Sequence, residues 1–120
     1  MSGRISSLTV DCLDGQALAA FWNAVLGWTV VDEEDGVISI AGDDSAPFGI
    51  DFIVVPDRPK VGKNRLHIDL RPVDRDQAAE LERLLALGAR PVDVGQSADV
   101  TWHVLADPEG NEFCLLRSPT

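Results

Sequence analysis

Cationic and sulfur-containing side chains are scarce in this 120-residue sequence, and both scarcities exclude classes of function. Lys and Arg together number 10 against 20 Asp and Glu, which gives a formal net charge of −10. Nucleic acids and anionic membranes bind cationic surfaces, so we expect neither as a partner. No apolar run is long enough for a membrane span or a signal peptide. We therefore predict a soluble, unprocessed protein.

The two cysteines, Cys12 and Cys114, have no CxxC spacing, which argues against a disulfide framework and against a zinc knuckle. The sequence also has no Gly-rich phosphate loop and no serine nucleophile elbow. These absences favour a protein of the reducing cytoplasm and leave no standard nucleophile to assign.

The composition is that of a globular protein, with 45% hydrophobic and 25% charged residues. A chain of this length buries roughly two thirds of its unfolded surface, which is enough for one core. We therefore predict a single domain over residues 1–120.

An internal repeat organises that domain. LTVDCLD at residues 8–14 precedes a predicted helix that ends at Leu26-Gly27, and LHIDLRPVD at residues 66–74 precedes one that ends at Leu87-Gly88. Each half is predicted to be a βαβββ module, about 4–55 and about 64–118. The predicted elements are strand 5–12, helix 14–27, hairpin 28–41 with an acidic tip at 32–35, strand 48–55, strand 64–71, helix 76–87, strands near 90–94, 100–106 and 112–117, and a turn at 107–111.

Each predicted helix has a cap and an apolar stripe. Asp14 is the expected cap of the first helix, whose stripe consists of Leu18, Phe21, Trp22, Val25 and Leu26. The second helix is expected to open with a capping box of Asp74 and Gln77, and its stripe consists of Ala78, Leu81 and Leu85.

The stretch KNRLHIDLR, residues 63–71, has the period of a half-buried strand. Leu66, Ile68 and Leu70 alternate with Arg65, His67 and Asp69, so the predicted strand buries one face and carries ionisable groups on the other. We expect that polar face to be the working surface.

Three runs, LAAFWNAVLGW, NRLHIDL and ADPEGNEFCLL, together with the repeat, resemble the vicinal oxygen chelate superfamily, specifically a glyoxalase-like domain of the glyoxalase and bleomycin-resistance group. The resemblance implies an α+β fold in which two βαβββ modules form a curved mixed sheet. It also implies a small-molecule pocket on the concave face and a homodimer.

In enzymes of that superfamily a divalent metal sits on His, Glu or Gln side chains, one from each of four strands. The resemblance places these positions on Ser7 or Thr9, Asp51, His67 and Cys114, with Glu112 two residues earlier on the same strand face. Hydroxyl groups are not normal ligands for such metals, so the set is incomplete. If a divalent metal binds, His67, Asp51 and Glu112 would hold it; otherwise we expect no cofactor.

Strand parity and the resemblance together define the expected site. His67 and Asp69 are the expected catalytic acid-base pair, and Cys114 is expected to be a small apolar residue rather than a reactive thiol. Trp102 is expected in the pocket, and His103 points the opposite way. The expected ligand-binding residues are Trp102, Asp51, Glu112, Cys114, Arg65, Ser7 and Thr9.

Three functions follow in order of preference. The first is a binding protein that sequesters a toxic or antibiotic small molecule. The second is an enzyme, of lyase or isomerase type, that uses His67 with Asp51 or Asp69 as an acid-base pair. The third is a metal-dependent lyase or dioxygenase that uses His67, Asp51 and Glu112.

Overall fold

The computed structural model describes residues 2–56, 62–92 and 101–117. The chain divides into two compact units, Met1–Pro59 and Lys60–Thr120, and each contains one helix and one four-stranded sheet. Within the described residues, neither helix has the length and apolar character needed to cross a bilayer.

The first unit has the order βαβββ. Its elements are β1 Ser7–Cys12, α1 Gly15–Leu26, β2 Thr29–Glu34, β3 Val37–Ala41 and β4 Gly49–Val54. Its sheet runs β1-β4-β3-β2, with β1 parallel to β4 and the other neighbours antiparallel.

Helix α1 follows the sequence prediction. The Asp14 carboxylate accepts a hydrogen bond from the Ala17 N–H at 3.1 Å, and Gly27 ends the helix in the left-handed conformation with φ 71°. The predicted apolar stripe is buried at Leu18, Phe21 and Trp22. The indole of Trp22 meets Phe21 edge-on, so this tryptophan belongs to the core.

The hairpin between β2 and β3 is tighter than predicted. Residues 32–34 continue β2, and the turn is only Asp35-Gly36, both with positive φ (53° and 80°). An Asp-Gly pair suits a two-residue turn of this kind, since its backbone twist matches that of the flanking strands. The acidic segment is therefore mostly strand rather than loop.

The second unit repeats the topology. Its elements are β5 Ile68–Leu70, α2 Gln77–Leu87, β6 Arg90–Pro91, β7 His103–Ala106 and β8 Glu112–Leu115. Its sheet runs β5-β8-β7-β6, again with the first strand of the unit parallel to the last. The internal repeat predicted from the sequence is therefore confirmed as a repeat of structure.

Strand β5 is shorter than the predicted 64–71, and Leu66 is 77% exposed where it was expected to be buried. The partner strand explains the difference. Ile68 pairs with Phe113, so the same register would put Leu66 opposite Asn111, where the chain is still in the turn after β7. A strand cannot extend where its partner has no extended backbone.

Helix α2 also departs from prediction. Its N-cap is Asp76, whose carboxylate accepts from the Ala79 N–H at 2.8 Å, whereas Asp74, the predicted cap, pairs with Arg75. Leu84 is fully buried, but the predicted stripe residues Ala78 and Leu85 are exposed.

A charged residue occupies the buried face of α2 one turn before Leu84. Glu80 is 8% exposed and accepts two hydrogen bonds from Arg83, each at 2.8 Å. The pairing makes burial of the carboxylate tolerable, and a hydrophobic pattern cannot reveal it. The predicted strand positions 93, 94 and 100 lie outside the described residues.

Candidate functional site

The polar face of the second sheet lies on the adjacent parallel strands β5 and β8. Asp69 pairs in register with Cys114, and Glu112 lies two residues earlier on the same face. Their strand neighbours Phe113 and Leu115 point the other way and are buried. The alternation of side chains along paired strands therefore brings a carboxylate next to a thiol that is 45 residues away in sequence.

His67 joins this face from the segment just before β5. Its Nε2 lies 3.0 Å from Oδ1 of Asp69, and both side chains are about half exposed (53% and 50%). The pair is held at hydrogen-bond distance and remains open to solvent. Such a pair suits proton transfer, since a carboxylate orients the imidazole ring.

Cys114 completes a compact group with these two residues. One potential ligand atom from each of His67, Asp69 and Cys114 lies within 4.8 Å of the other two. Burial, followed by the charge and hydrogen bond of Asp69, raises the pKa of the Cys114 thiol. A raised pKa disfavours the thiolate, which is the nucleophilic form of cysteine.

Glu112 has a separate partner. Its Oε1 lies 2.6 Å from Nζ of Lys63, and its side chain is 22% exposed. Lys63 was not predicted as a site residue, although it opens the stretch KNRLHIDLR. No periodicity signals its role, because the pairing depends on where residues 63 and 112 lie in three dimensions.

The remaining second-unit residues of the predicted site flank this face. Trp102 directly precedes β7 and is 40% exposed. Because residues two apart along a strand share a face, Trp102 is assigned to the side of Val104, which pairs with Cys114. His103 pairs with Leu115 and lies on the opposite side, as predicted. Arg65 is exposed and precedes β5.

Three predicted residues belong to the first unit. Ser7 and Thr9 are exposed on β1, and Thr9 pairs in register with the half-buried Asp51 of β4. Asp51 also pairs with Ser39 of β3, so these side chains form a polar row on the sheet face opposite the buried Ile50 and Phe52. Ser39 was missed, since a single serine in an apolar strand gives no sequence signal.

Two βαβββ units with this strand order define the fold shared by glyoxalases, bleomycin resistance proteins and related dioxygenases. The chain belongs to the Glyoxalase-like domain family, whose model matches residues 7–116. The family recognised from the sequence runs is thereby confirmed.

Solved structures with this fold include several resistance proteins and enzymes. The fosfomycin resistance protein FosX from Mesorhizobium loti is 16% identical, with a TM-score of 0.72 over 100% of this chain and 95% of that one. A FosX variant from Listeria monocytogenes, complexed with Mn(II) and 1S,2S-dihydroxypropylphosphonic acid, is 14% identical, with a TM-score of 0.72 over 98% and 92%. A glyoxalase/bleomycin resistance protein/dioxygenase family enzyme from Burkholderia phytofirmans is 18% identical, with a TM-score of 0.66 over 94% and 97%. No curated protein gives a significant match.

The side chains at the family's metal positions do not fit a metal such as Mn²⁺. Cys114 stands where glutamate is usual, a hydroxyl of Ser7 or Thr9 stands where the first ligand is expected, and Glu112 is bonded to Lys63. Mn²⁺ prefers carboxylate, carbonyl and water oxygens, whereas thiols prefer softer metals.

Proposed function

We propose that the protein binds a small organic molecule on the polar face of its second sheet and acts as a sequestering, resistance-type binding protein. One observation supports this proposal above all. His67 and Asp69 form a pair with 3.0 Å between Nε2 and Oδ1, and both side chains are half exposed to solvent. Strand alternation assigns the partly exposed Trp102 to the same face. Small-molecule sites combine apolar and aromatic surface with a few converging polar groups. A planar, largely apolar ligand that carries a hydrogen-bonding group suits this arrangement.

The ion pair of Glu112 and Lys63 favours binding over metal-dependent turnover. In the metal-dependent alternative, Glu112 would act as a ligand, but its carboxylate already has a cationic partner at 2.6 Å. The positive charge of Lys63 opposes the approach of a second cation to that carboxylate. The resemblance to proteins described as fosfomycin resistance proteins also supports a protective role.

The test is a binding screen with a panel of aromatic compounds, read by tryptophan fluorescence and by the rise in melting temperature that accompanies ligand binding. For any compound that binds, we expect Trp102→Ala to weaken affinity by about tenfold or more, equal to about 1.4 kcal/mol, and to do so more than His67→Ala. Trp28→Phe, in the first unit, is the matched control and should leave affinity unchanged. Loss of all binding in His67→Ala with no effect of Trp102→Ala would overturn the proposal.

A second candidate function rests on the same pair. The Asp69 carboxylate lies at hydrogen-bond distance from Nε2 of His67, which leaves Nδ1 to act as a general base toward a bound substrate. The alternative function is therefore that of a metal-free lyase or isomerase. In that case His67→Ala should lower turnover by about 10²- to 10⁴-fold while the fold and ligand affinity remain. Equal turnover in wild type and His67→Ala would exclude it.

We further propose that the two modules form one domain and that the chain acts as a homodimer in the cytoplasm. The family match runs through both modules from residue 7 to residue 116, which supports a single domain. Neither Cys12 nor Cys114 forms a disulfide, which suits a reducing compartment. Within the described residues each sheet has two edge strands, β1 and β2 in the first and β5 and β6 in the second, and such edges support pairing with a second copy.

A further inference from the structure

We infer that His67, Asp69 and Cys114 form a binding site for a thiophilic cation such as Zn²⁺ or Cd²⁺, built within the second unit alone. This site differs from the family's metal site in its composition, since it uses a thiol and the aspartate beside the histidine. It shares the positions of His67 and Cys114 with the ligand set that the resemblance implies, but all three of its donors come from one unit, on β5, β8 and the segment before β5. The inference does not depend on the organic ligand proposed above.

The spacing of the three donors is close to that of a tetrahedral metal site. Bonds of about 2.0–2.3 Å from Zn²⁺ to nitrogen, oxygen and sulfur place neighbouring ligand atoms about 3.3–3.8 Å apart. Here the imidazole nitrogen and carboxylate oxygen are 3.0 Å apart, and the three potential ligand atoms lie within 4.8 Å of one another. The inference requires the half-exposed side chains of His67 and Asp69 to rotate by this remaining difference when the metal binds.

The chemistry of the donors selects the cation. An imidazole, a carboxylate and a thiolate are all ligands of Zn²⁺, and three protein ligands leave one coordination position open. A thiolate discriminates in favour of Zn²⁺ and Cd²⁺ over Mn²⁺ and Mg²⁺, which prefer oxygen. A glutamate at position 114 would favour Mn²⁺ and Mg²⁺. We therefore expect Cys114 to reverse that preference, so that this chain binds Zn²⁺ and Cd²⁺ more tightly than Mn²⁺ and Mg²⁺.

The electrostatic surroundings also favour a cation. Asp69 lies in the cluster and is the nearest charge to the Cys114 thiol, whereas the more distant charge of Glu112 is opposed by that of its partner Lys63. A bound divalent cation would neutralise the carboxylate and replace the thiol proton. The half-exposed His67 and Asp69 give solvent ions access to the site.

The experiment measures binding of the metals alone to the reduced, full-length protein. Zn²⁺, Cd²⁺ and Mn²⁺ are titrated in competition with a chromophoric chelator, and Cd²⁺ binding is also followed by the ultraviolet charge-transfer absorption of a cadmium-thiolate bond. We expect one Zn²⁺ or Cd²⁺ per chain, bound more than about tenfold more tightly than Mn²⁺, with the thiolate band present.

The variants assign the site. Cys114→Ser should abolish the cadmium-thiolate band, and both Cys114→Ser and His67→Ala should lower Zn²⁺ affinity by more than about tenfold, since even outer-shell changes cost 10- to 100-fold. Cys12→Ala and His103→Ala, which remove the other thiol and the other histidine, are matched controls and should change neither signal. If Cys114→Ser does not fold, His67→Ala and Asp69→Asn, at half-exposed positions, carry the same test.

Three results would overturn the inference. One is an affinity for Mn²⁺ equal to that for Zn²⁺. Another is Zn²⁺ affinity unchanged by His67→Ala and Asp69→Asn, which includes the case of no Zn²⁺ binding at all. The third is a thiolate band that persists without Cys114 and disappears without Cys12. None of these results bears on whether an aromatic ligand binds, so the two proposals fail separately.

Discussion

The structure gives Cys114 neighbours that the sequence does not predict. By sequence it is a small apolar residue at a position where the family expects a ligand, and nothing cationic is assured beside it. In the structure it lies beside Asp69 and close to His67. Its thiol is hydrogen-bonded and partly buried, so its chemistry depends on a carboxylate whose proximity only strand register reveals.

The raised pKa of Cys114 predicts slow alkylation. Burial and the neighbouring carboxylates disfavour the thiolate, which is the nucleophile, so at pH 8 iodoacetamide should react with Cys114 more slowly than with a free thiol. The folded-state pKa lies above that of the unfolded chain, so this thiol stabilises the fold below the ordinary thiol range. Stability should therefore fall as pH rises through that range.

The measurement is the pH dependence of alkylation in Cys12→Ala, where Cys114 is the only thiol. Its rate should rise at higher pH than the rate of a model thiol. Asp69→Asn should move the profile of Cys114 toward lower pH, since it removes a negative charge. An alkylation profile centred below that of the model thiol would contradict the assignment.

At the scale of elements, the turn between β7 and β8 depends on a buried carboxylate. Asp107 is 1% exposed, and its Oδ1 accepts hydrogen bonds from the N–H groups of Glu109 at 2.9 Å and Asn111 at 3.0 Å. The side-chain amide of Asn111 also donates to both carboxylate oxygens. Gly110 adopts a positive φ of 84°, which lets the chain reverse into β8.

We predict that Asp107→Ala lowers the free energy of unfolding by about 2–4 kcal/mol, because it leaves the partly buried N–H groups of Glu109 and Asn111 without their acceptor. Urea denaturation measures the effect. Asp107→Asn, which retains one acceptor oxygen, should lose less. Asp44→Ala, at an exposed loop position, is the control and should stay within about 0.5 kcal/mol of wild type. Equal midpoints for Asp107→Ala and Asp44→Ala would show that the carboxylate does not stabilise the turn.

At the scale of the whole molecule, exposed apolar residues lie before and after the edge strand β5 of the second sheet. Within the described part of the chain, β5 is bonded on one side only, to β8. Leu66 is 77% exposed just before it, and Val73 is 98% exposed just after it. Large apolar side chains beside an unpaired strand edge are typical of surfaces that bind another chain.

We predict a homodimer, with a mass by light scattering of twice the 13.0 kDa chain. Leu66→Glu should shift the mass to that of the monomer, because it puts a charge on the apolar surface expected at the interface. Ala86→Glu makes a comparable change at an exposed position of α2 and should leave the dimer intact. A monomer for the wild-type protein at high concentration would reject the prediction.

The sequence by itself determined the two βαβββ modules, the family and the caps of α1. These follow from local signals: a period of two for strands, an apolar stripe for helices, and Asp14, Gly27 and the Asp-Pro-Glu-Gly-Asn turn at their ends. It also placed His67 and Asp69 on one strand face, because residues two apart share a face.

Only the tertiary structure decided which groups meet. The pairing of β5 with β8 puts Asp69 beside Cys114 and ends β5 where its partner turns, and the pairing of Lys63 with Glu112 spans 49 residues. The burial of Glu80 and Leu84 likewise depends on which face of α2 packs inward, although the pairing of Glu80 with Arg83 is local to the helix. Strand register is a long-range property, since a shift of one residue would change every neighbour of the site without changing any local pattern.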